Sequence, residues 1–171
     1  MRRFLLAPLF LVLTPTLRAQ IVEIYGTVNA VHATNVPANN GSDTGNPLTT
    51  NTIYSFGLGG TFNFLSAGVA KLGVDVRGSD HTALGGIKLT VKPPVFRVTP
   101  YLQGSLGYLN VPHNSTDNKY AVAEILGGID APLTRILDYR VIEIGGGHAI
   151  NSTNGSKPSF LTLTTGLVFH F

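Results

Sequence analysis

The last thirteen residues of the chain, Ser159–Phe171, alternate apolar with polar or small side chains and end on an aromatic residue. Successive side chains of a β-strand point to opposite faces, so the segment predicts a strand with one apolar face. On the edge of a soluble sheet this ribbon would be open to aggregation, whereas a membrane barrel would turn it towards lipid. The apolar face carries Leu161, Leu163, Thr165, Leu167, Phe169 and Phe171.

The same alternation recurs in seven earlier segments, and all of them reach the 9–11 residues that a tilted strand needs to cross a membrane. No stretch after the first twenty residues has the ~18 consecutive apolar residues of a membrane helix. The seven segments are Ile21–Val31, Asn51–Leu65, Ala70–Ser79, Thr82–Lys92, Arg97–Val111, Lys119–Ala131 and Leu137–Ile150.

The connections between these segments alternate in length, with Asp80–His81 as a tight exception. Short periplasmic turns and longer outer loops are typical of outer-membrane barrels. The sequence therefore predicts an all-β fold, an eight-stranded antiparallel up-and-down transmembrane β-barrel with a polar lumen and both termini in the periplasm. The short links are Ser66–Val69, Pro93–Phe96 and Pro132–Ile136, and the longer ones are His32–Thr50, Asn110–Asn118 and Asn151–Pro158.

Residues 1–19 are typical of a secretory signal peptide, which leaves residues 20–171 as the barrel. Arg2 and Arg3 precede the short apolar run Phe4–Leu13, and cleavage is expected after Ala19. The segment removes three of the 12 basic residues and none of the 9 acidic ones, so the remaining chain has no formal net charge. Nucleic-acid binding is therefore not expected. The absence of cysteine excludes disulfides, a thiolate nucleophile and a lipidated cysteine.

Eight charged residues are predicted to form a lumen charge network. Buried charges are costly unless they are paired, and an eight-stranded barrel is just wide enough inside for side chains. A salt-bridged plug is therefore favoured over a gated or ion-selective pore, with mid-strand glycines making room for larger side chains. The network comprises Glu23, Lys71, Asp75, Arg77, Lys88, Glu124, Arg140 and Glu143.

Arg140 and Glu143 do not share a face under strict alternation, because they are three residues apart. One extra residue near Val141, a β-bulge, would turn both charges inward. Without a bulge, Arg140 would have to lie near a membrane interface.

The cleavable signal, the eight alternating segments and the terminal Gly166–Phe171 (GLVFHF) resemble the small OmpA/OmpX-type outer-membrane β-barrel proteins. Gly127–Gly147 is also similar to the seventh-strand region of outer-membrane barrel domains. The resemblance implies that Leu167, Phe169 and Phe171 are the assembly signal read by the outer-membrane assembly machinery. It also implies periplasmic chaperones as transient partners, lipid and lipopolysaccharide as surroundings, and a monomeric protein of the bacterial outer membrane.

Neither a cofactor nor a metal site is expected. His32, His81, His113 and His148 fall at the loop end of the predicted barrel, but their spacing matches no metal motif. The same loops contain the serine, histidine and aspartate types that an acyl-transfer enzyme needs, yet no nucleophile-elbow sequence accompanies them. These triad candidates are His148 or His113, Ser115 or Ser152, and Asp117.

The favoured function is therefore a non-enzymatic outer-membrane barrel with a structural or surface-loop-presenting role. Three alternatives stay open: a narrow pore for small solutes or ions, a small lipid-modifying outer-membrane enzyme, and a soluble lipocalin-like barrel with its apolar face inside. Fold analogy alone does not choose among structural, pore and binding roles.

Overall fold

The chain folds into eight strands that close into one barrel. The structure is a computed structural model that describes residues 22–37, 48–113, 116–151 and 157–171. Each strand pairs antiparallel with the next, and β1 pairs with β8, so the predicted all-β, eight-stranded up-and-down architecture is confirmed. The strands are β1 (Val22–Pro37), β2 (Leu48–Ala67), β3 (Ala70–Ser79), β4 (Thr82–Val91), β5 (Thr99–His113), β6 (Thr116–Pro132), β7 (Leu137–Ala149) and β8 (Ser159–His170).

The predicted signal peptide, residues 1–19, and its cleavage site lie outside the described residues, so both stay predictions. The described ends of the chain meet where Val22 and Phe171 exchange backbone hydrogen bonds of 3.3 and 2.9 Å. We call this the lower end of the barrel. Within the described part, no helix is long and apolar enough to cross a membrane.

Large apolar side chains cover the outside of the barrel. Phe56 is 79% exposed, and Ile87 and Leu163 are each 49% exposed, as alternation predicts for the outward face. A continuous apolar exterior of this kind is far larger than the patches of a few hundred Å² that soluble monomers expose. A lipocalin-like barrel would carry these residues inside, so that alternative is wrong for this surface.

Towards the upper end, the inward face of the wall becomes apolar and the outward face becomes polar. In β1 the inward residues change from Thr27 and Asn29 to the buried, apolar Val31, while the outward residues change from Val28 to His32. Paired positions in β2, β5, β6 and β8 change in the same way. The buried apolar residues form what we call the upper core: Val31, Ala33, Val36, Ile53, Leu84, Leu109, Val111, Tyr120, Val122, Ala149 and Phe160.

The upper core corrects two sequence-based predictions. The lumen is polar only in its lower part, and several strands run further than predicted. β5 and β6 pair up to His113 and Thr116, so strand occupies residues 110–113 and 116–118 of the predicted loop Asn110–Asn118. The predicted loop His32–Thr50 likewise contains strand at both ends. The sequence-based boundaries follow the lipid-facing pattern, whereas the strands continue after that pattern has reversed.

Candidate functional site

A β-bulge in β7 turns two charged side chains into the lumen. Ile142 pairs with Ile129 and Arg140 pairs with Asp130, which leaves Val141 as an extra residue opposite β6. Val141 and Ile142 both point outward, and Arg140 and Glu143 are 1% and 0% exposed. The bulge expected near Val141 is therefore present, and it brings both charges to the same face.

Arg140 occupies the centre of the lower lumen and contacts aromatic and acidic groups. Its guanidinium carbon lies 4.5 Å from the ring centroid of Tyr25 and 4.8 Å from that of Tyr101. Its Nε donates to Asp130 Oδ1 at 3.0 Å, and Nη1 donates to Glu143 Oε2 at 3.2 Å. Cation–π contacts stabilise by ~0.5–2 kcal/mol, most when the cation is desolvated as here.

The carboxylates of Asp75 and Glu143 accept most of the other hydrogen bonds in this part of the lumen. Asp75 accepts hydrogen bonds from the Tyr25 hydroxyl at 2.8 and 2.9 Å, as well as from Thr61 and Gln103. Glu143 accepts from Arg77 Nη1 at 2.7 Å and from the Tyr101 hydroxyl at 2.6 Å. Since Arg77 Nε also lies 3.6 Å from Asp75, one continuous ionic cluster links β1, β3, β5, β6 and β7.

A second ionic group lies at the lower end of the lumen. Lys88 Nζ is 2.8 Å from Glu23 Oε2, and His170 lies 3.8 Å from Glu23 and 2.9 Å from Asp138. These residues connect β4, β1, β8 and β7 near the seam where the barrel closes. Lys71 also faces this end of the lumen and is half-buried, but makes no ion pair within 4.0 Å to the part of the chain that the structure describes.

Glu124 stands apart from both ionic groups. Its side chain is 3% exposed, and Oε1 accepts a hydrogen bond from Thr162 at 2.7 Å. The other oxygen, Oε2, is buried and hydrogen-bonds to none of the described residues. No cation lies within 4.0 Å of this carboxylate among them. Of the eight residues predicted as one network, Glu124 and Lys71 are therefore the two outside its ion pairs.

Sequence reasoning missed several members of the cluster. Asp130 and Asp138 face inward by simple alternation with Gly128 and Arg140, so the signal for them is present in the pattern. The contacts of Tyr25 and Tyr101 with Arg140 have no such signal, because they cross the lumen from strands far apart in the chain.

Room for the two tyrosine rings comes from glycines on the neighbouring strands. Gly59 is paired with Tyr25, and Gly128 is paired with Tyr101. A Cβ atom at either glycine would overlap the tyrosine ring facing it. The interior thus depends on small residues opposite large ones, as expected for a narrow barrel.

Replacing Gly128 with alanine is expected to lower the free energy of unfolding by ~1–3 kcal/mol, the usual effect of overpacking. The Tyr101 ring meets the new methyl group and can withdraw only by losing its hydrogen bond to Glu143. Gly127→Ala is the matched control, since a Cβ there makes only ordinary contacts of 3.6 and 3.8 Å. Urea titration in lipid vesicles, followed by gel migration of unheated samples, measures both. Equal stability of the two variants would contradict the packing argument.

Among the described side chains, His32, His81 and His148 do not come together into a metal site. His32 Nδ1 lies 2.9 Å from the Thr52 hydroxyl, and no group of three or more metal-binding side chains occurs within the described ranges. Ser115, Ser152 and the side chains of His113 and Asp117 lie outside the described residues. The catalytic alternative that depended on them stays untested.

The residues predicted as the assembly signal lie together at the lower end of β8. Leu167, Phe169 and Phe171 all point outward and are exposed. This arrangement leaves their side chains accessible from outside the barrel wall. Recognition by an assembly machinery stays a prediction.

Comparison with known proteins identifies the fold. No protein-family model matches the chain, and no curated protein matches it significantly. Among solved structures, Neisserial surface protein A aligns with a TM-score of 0.51 and 17% identity over 86% of this chain and 97% of that one. The outer membrane protein OprG from Pseudomonas aeruginosa aligns with a TM-score of 0.50 and 12% identity over 90% and 97%. The chain therefore has the fold of the small OmpA/OmpX-type outer-membrane barrels.

Proposed function

We propose that the protein is an integral β-barrel of the bacterial outer membrane, with a structural or surface-loop-presenting role and a lumen filled by side chains. The observation that carries the proposal is that apolar side chains are exposed and charged side chains are buried, the reverse of a soluble protein. Phe56 and its outward neighbours are exposed around the wall, whereas Arg140, Lys88 and Glu143 are almost fully buried inside. Lipid is the solvent that stabilises an apolar exterior of this kind.

The filled lumen supports a structural role over a pore. The guanidinium of Arg140, the rings against it and the carboxylates that bind it occupy the space through which a solute would have to pass. Opening a path would separate buried charges from their partners, which is unfavourable, so spontaneous opening of the lumen would be rare. We assign the barrel no catalytic role, and we propose a monomer surrounded by outer-membrane lipid and lipopolysaccharide.

Membrane fractionation combined with gel migration before and after heating tests location and barrel closure together. We expect the protein in the outer-membrane fraction, with a migration that changes on heating. Recovery from the soluble fraction would overturn the membrane assignment.

Planar bilayer recordings test the closed lumen. We expect no stable single-channel conductance from the unaltered protein. Reproducible channels would favour the narrow pore, and enzymatic turnover lost on changing one loop histidine or serine to alanine would favour the lipid-modifying enzyme.

Replacing Phe171 with serine is expected to reduce the amount of heat-modifiable barrel in the outer membrane several-fold, because the proposed assembly signal loses its terminal aromatic residue. Phe64→Ser is the matched control, since Phe64 is also an outward phenylalanine near the lower end, on β2. Quantitative immunoblotting of outer-membrane fractions compares the two. An equal loss in both variants would show that apolar area, rather than the terminal position, decides assembly.

A further inference from the structure

A small cavity separates the ionic cluster from the upper core. Its volume is about 30 Å³, and the polar residues that line it include Thr27, Asn29, Ser55, Arg77, Glu124 and Thr164. A water molecule needs ~10–15 Å³ of such space and two to four polar partners. The cavity therefore has the volume for about two water molecules, and polar side chains are present in its lining to bind them.

Two charged residues that line this space carry polar atoms without a hydrogen-bond partner among the described residues. Arg77 Nη2 and Glu124 Oε2 are buried, and neither hydrogen-bonds to any described residue. Both side chains line the cavity. Leaving such an atom unsatisfied is destabilising, most of all in a charged group. A bridging water molecule would satisfy both, since it accepts from the guanidinium and donates to the carboxylate.

The residues at the two ends of the cavity differ in chemistry. Along the inward face of β1, Tyr25 lies below it and Val31 lies above it, with Thr27 and Asn29 at its own level. Tyr25 belongs to the ionic cluster through its contacts with Arg140 and Asp75. Val31 and Leu84 line the other side and belong to the upper core. Ions would meet fixed charges from below and a dewetted apolar constriction from above.

We propose that the space beside Arg77 and Glu124 is a hydrated chamber, in which water bridges the two side chains and which the ionic cluster and the upper core seal from either end. The ligand of this site is water. The lumen then has two barriers, the ionic cluster and the upper core, and removal of the ionic cluster alone does not open it to the upper side. The inference rests on the closed barrel and is independent of membrane location.

A high-resolution crystal structure tests the hydration directly. We expect electron density for water within hydrogen-bonding distance of both Arg77 Nη2 and Glu124 Oε2. A direct hydrogen bond between these two atoms, or a cavity without density, would overturn the water bridge.

Cysteine labelling tests the seal, and the absence of native cysteine makes each introduced thiol unique. Ser55→Cys places a thiol in the chamber, and Thr52→Cys places one on the exposed outer face of the same strand. With a small methanethiosulfonate reagent in detergent micelles, we expect labelling at position 55 to be at least ~100-fold slower than at position 52, because reaction requires local opening.

Truncation of the upper core then provides the decisive comparison. Adding Phe160→Ala and Ile53→Ala to Ser55→Cys is expected to raise the labelling rate at least ~10-fold, provided that gel migration shows a closed barrel. Equal rates at positions 55 and 52 in the intact lumen would show that there is no seal. An unchanged rate after truncation would show that the upper core is not one of the two barriers.

Discussion

Replacing Arg140 with alanine is expected to lower the free energy of unfolding by ~3–5 kcal/mol, the largest effect of any single substitution in the lumen. The change leaves Asp130 and Glu143 without a buried cationic partner and removes the group that packs against Tyr25 and Tyr101. Urea titration of the folded barrel in lipid vesicles measures the loss.

Arg135→Ala controls for the removal of an arginine as such, because Arg135 lies exposed in the turn between β6 and β7. We expect its effect to stay within ~0.5 kcal/mol. The triple variant Arg140→Met, Asp130→Asn and Glu143→Gln is expected to recover part of the loss, since it neutralises the site while nearly keeping its volume. If the triple variant were no more stable than Arg140→Ala, the unpaired carboxylates of Asp130 and Glu143 would not be the cause of the loss.

Deleting Ile144 is expected to cost ~3–5 kcal/mol or to prevent folding, whereas deleting Val141 is expected to cost no more than ~1.5 kcal/mol. Val141 is the extra residue of the bulge, so its removal leaves Arg140, Ile142 and Glu143 in regular alternation with both charges still inward. Removal of Ile144 makes Glu143 adjacent to Gly145, and both residues face inward in the intact strand. One of the two must then face outward, because a one-residue slip exchanges the faces of a strand.

Glu143 is the residue that the Ile144 deletion would turn towards lipid. Its carboxylate would then no longer accept hydrogen bonds from Arg77, Arg140 and Tyr101. Yield of heat-modifiable barrel after refolding into vesicles and urea titration compare the two deletions. A Val141 deletion as damaging as that of Ile144 would show that the bulge itself, through the bend that it adds to β7, is required for closure.

The sequence predicts the fold well because a barrel wall repeats one local rule. Alternation locates all eight strands, and the need to bury both Arg140 and Glu143 leads to the bulge at Val141. Each of these inferences depends only on neighbours in the chain and on the cost of placing a charge in lipid. Strand pairing then follows, since consecutive antiparallel strands joined by short links lie side by side.

The interior is less predictable because its contacts cross the barrel. Which aromatic ring meets Arg140 depends on strand tilt and stagger, and these are properties of the closed wall rather than of any segment. The apolar side chains of the upper core are difficult to predict for another reason. Ala33 and Val36 are buried in a stretch of β1 whose outward residues, such as His32, are polar, so the lipid-facing pattern alone predicts a loop there.

The reversal of polarity above Val31 also sets how far the upper end of the wall extends beyond its apolar exterior. Six more residues of β1, up to Pro37, continue beyond the apolar exterior. At ~3.3 Å per residue and a tilt of about 40°, they raise the rim by ~15 Å. In the proposed membrane orientation, the upper wall with its buried apolar core supports the strand ends above the bilayer, and a molecule that approaches from that side meets them before it reaches the lipid headgroups.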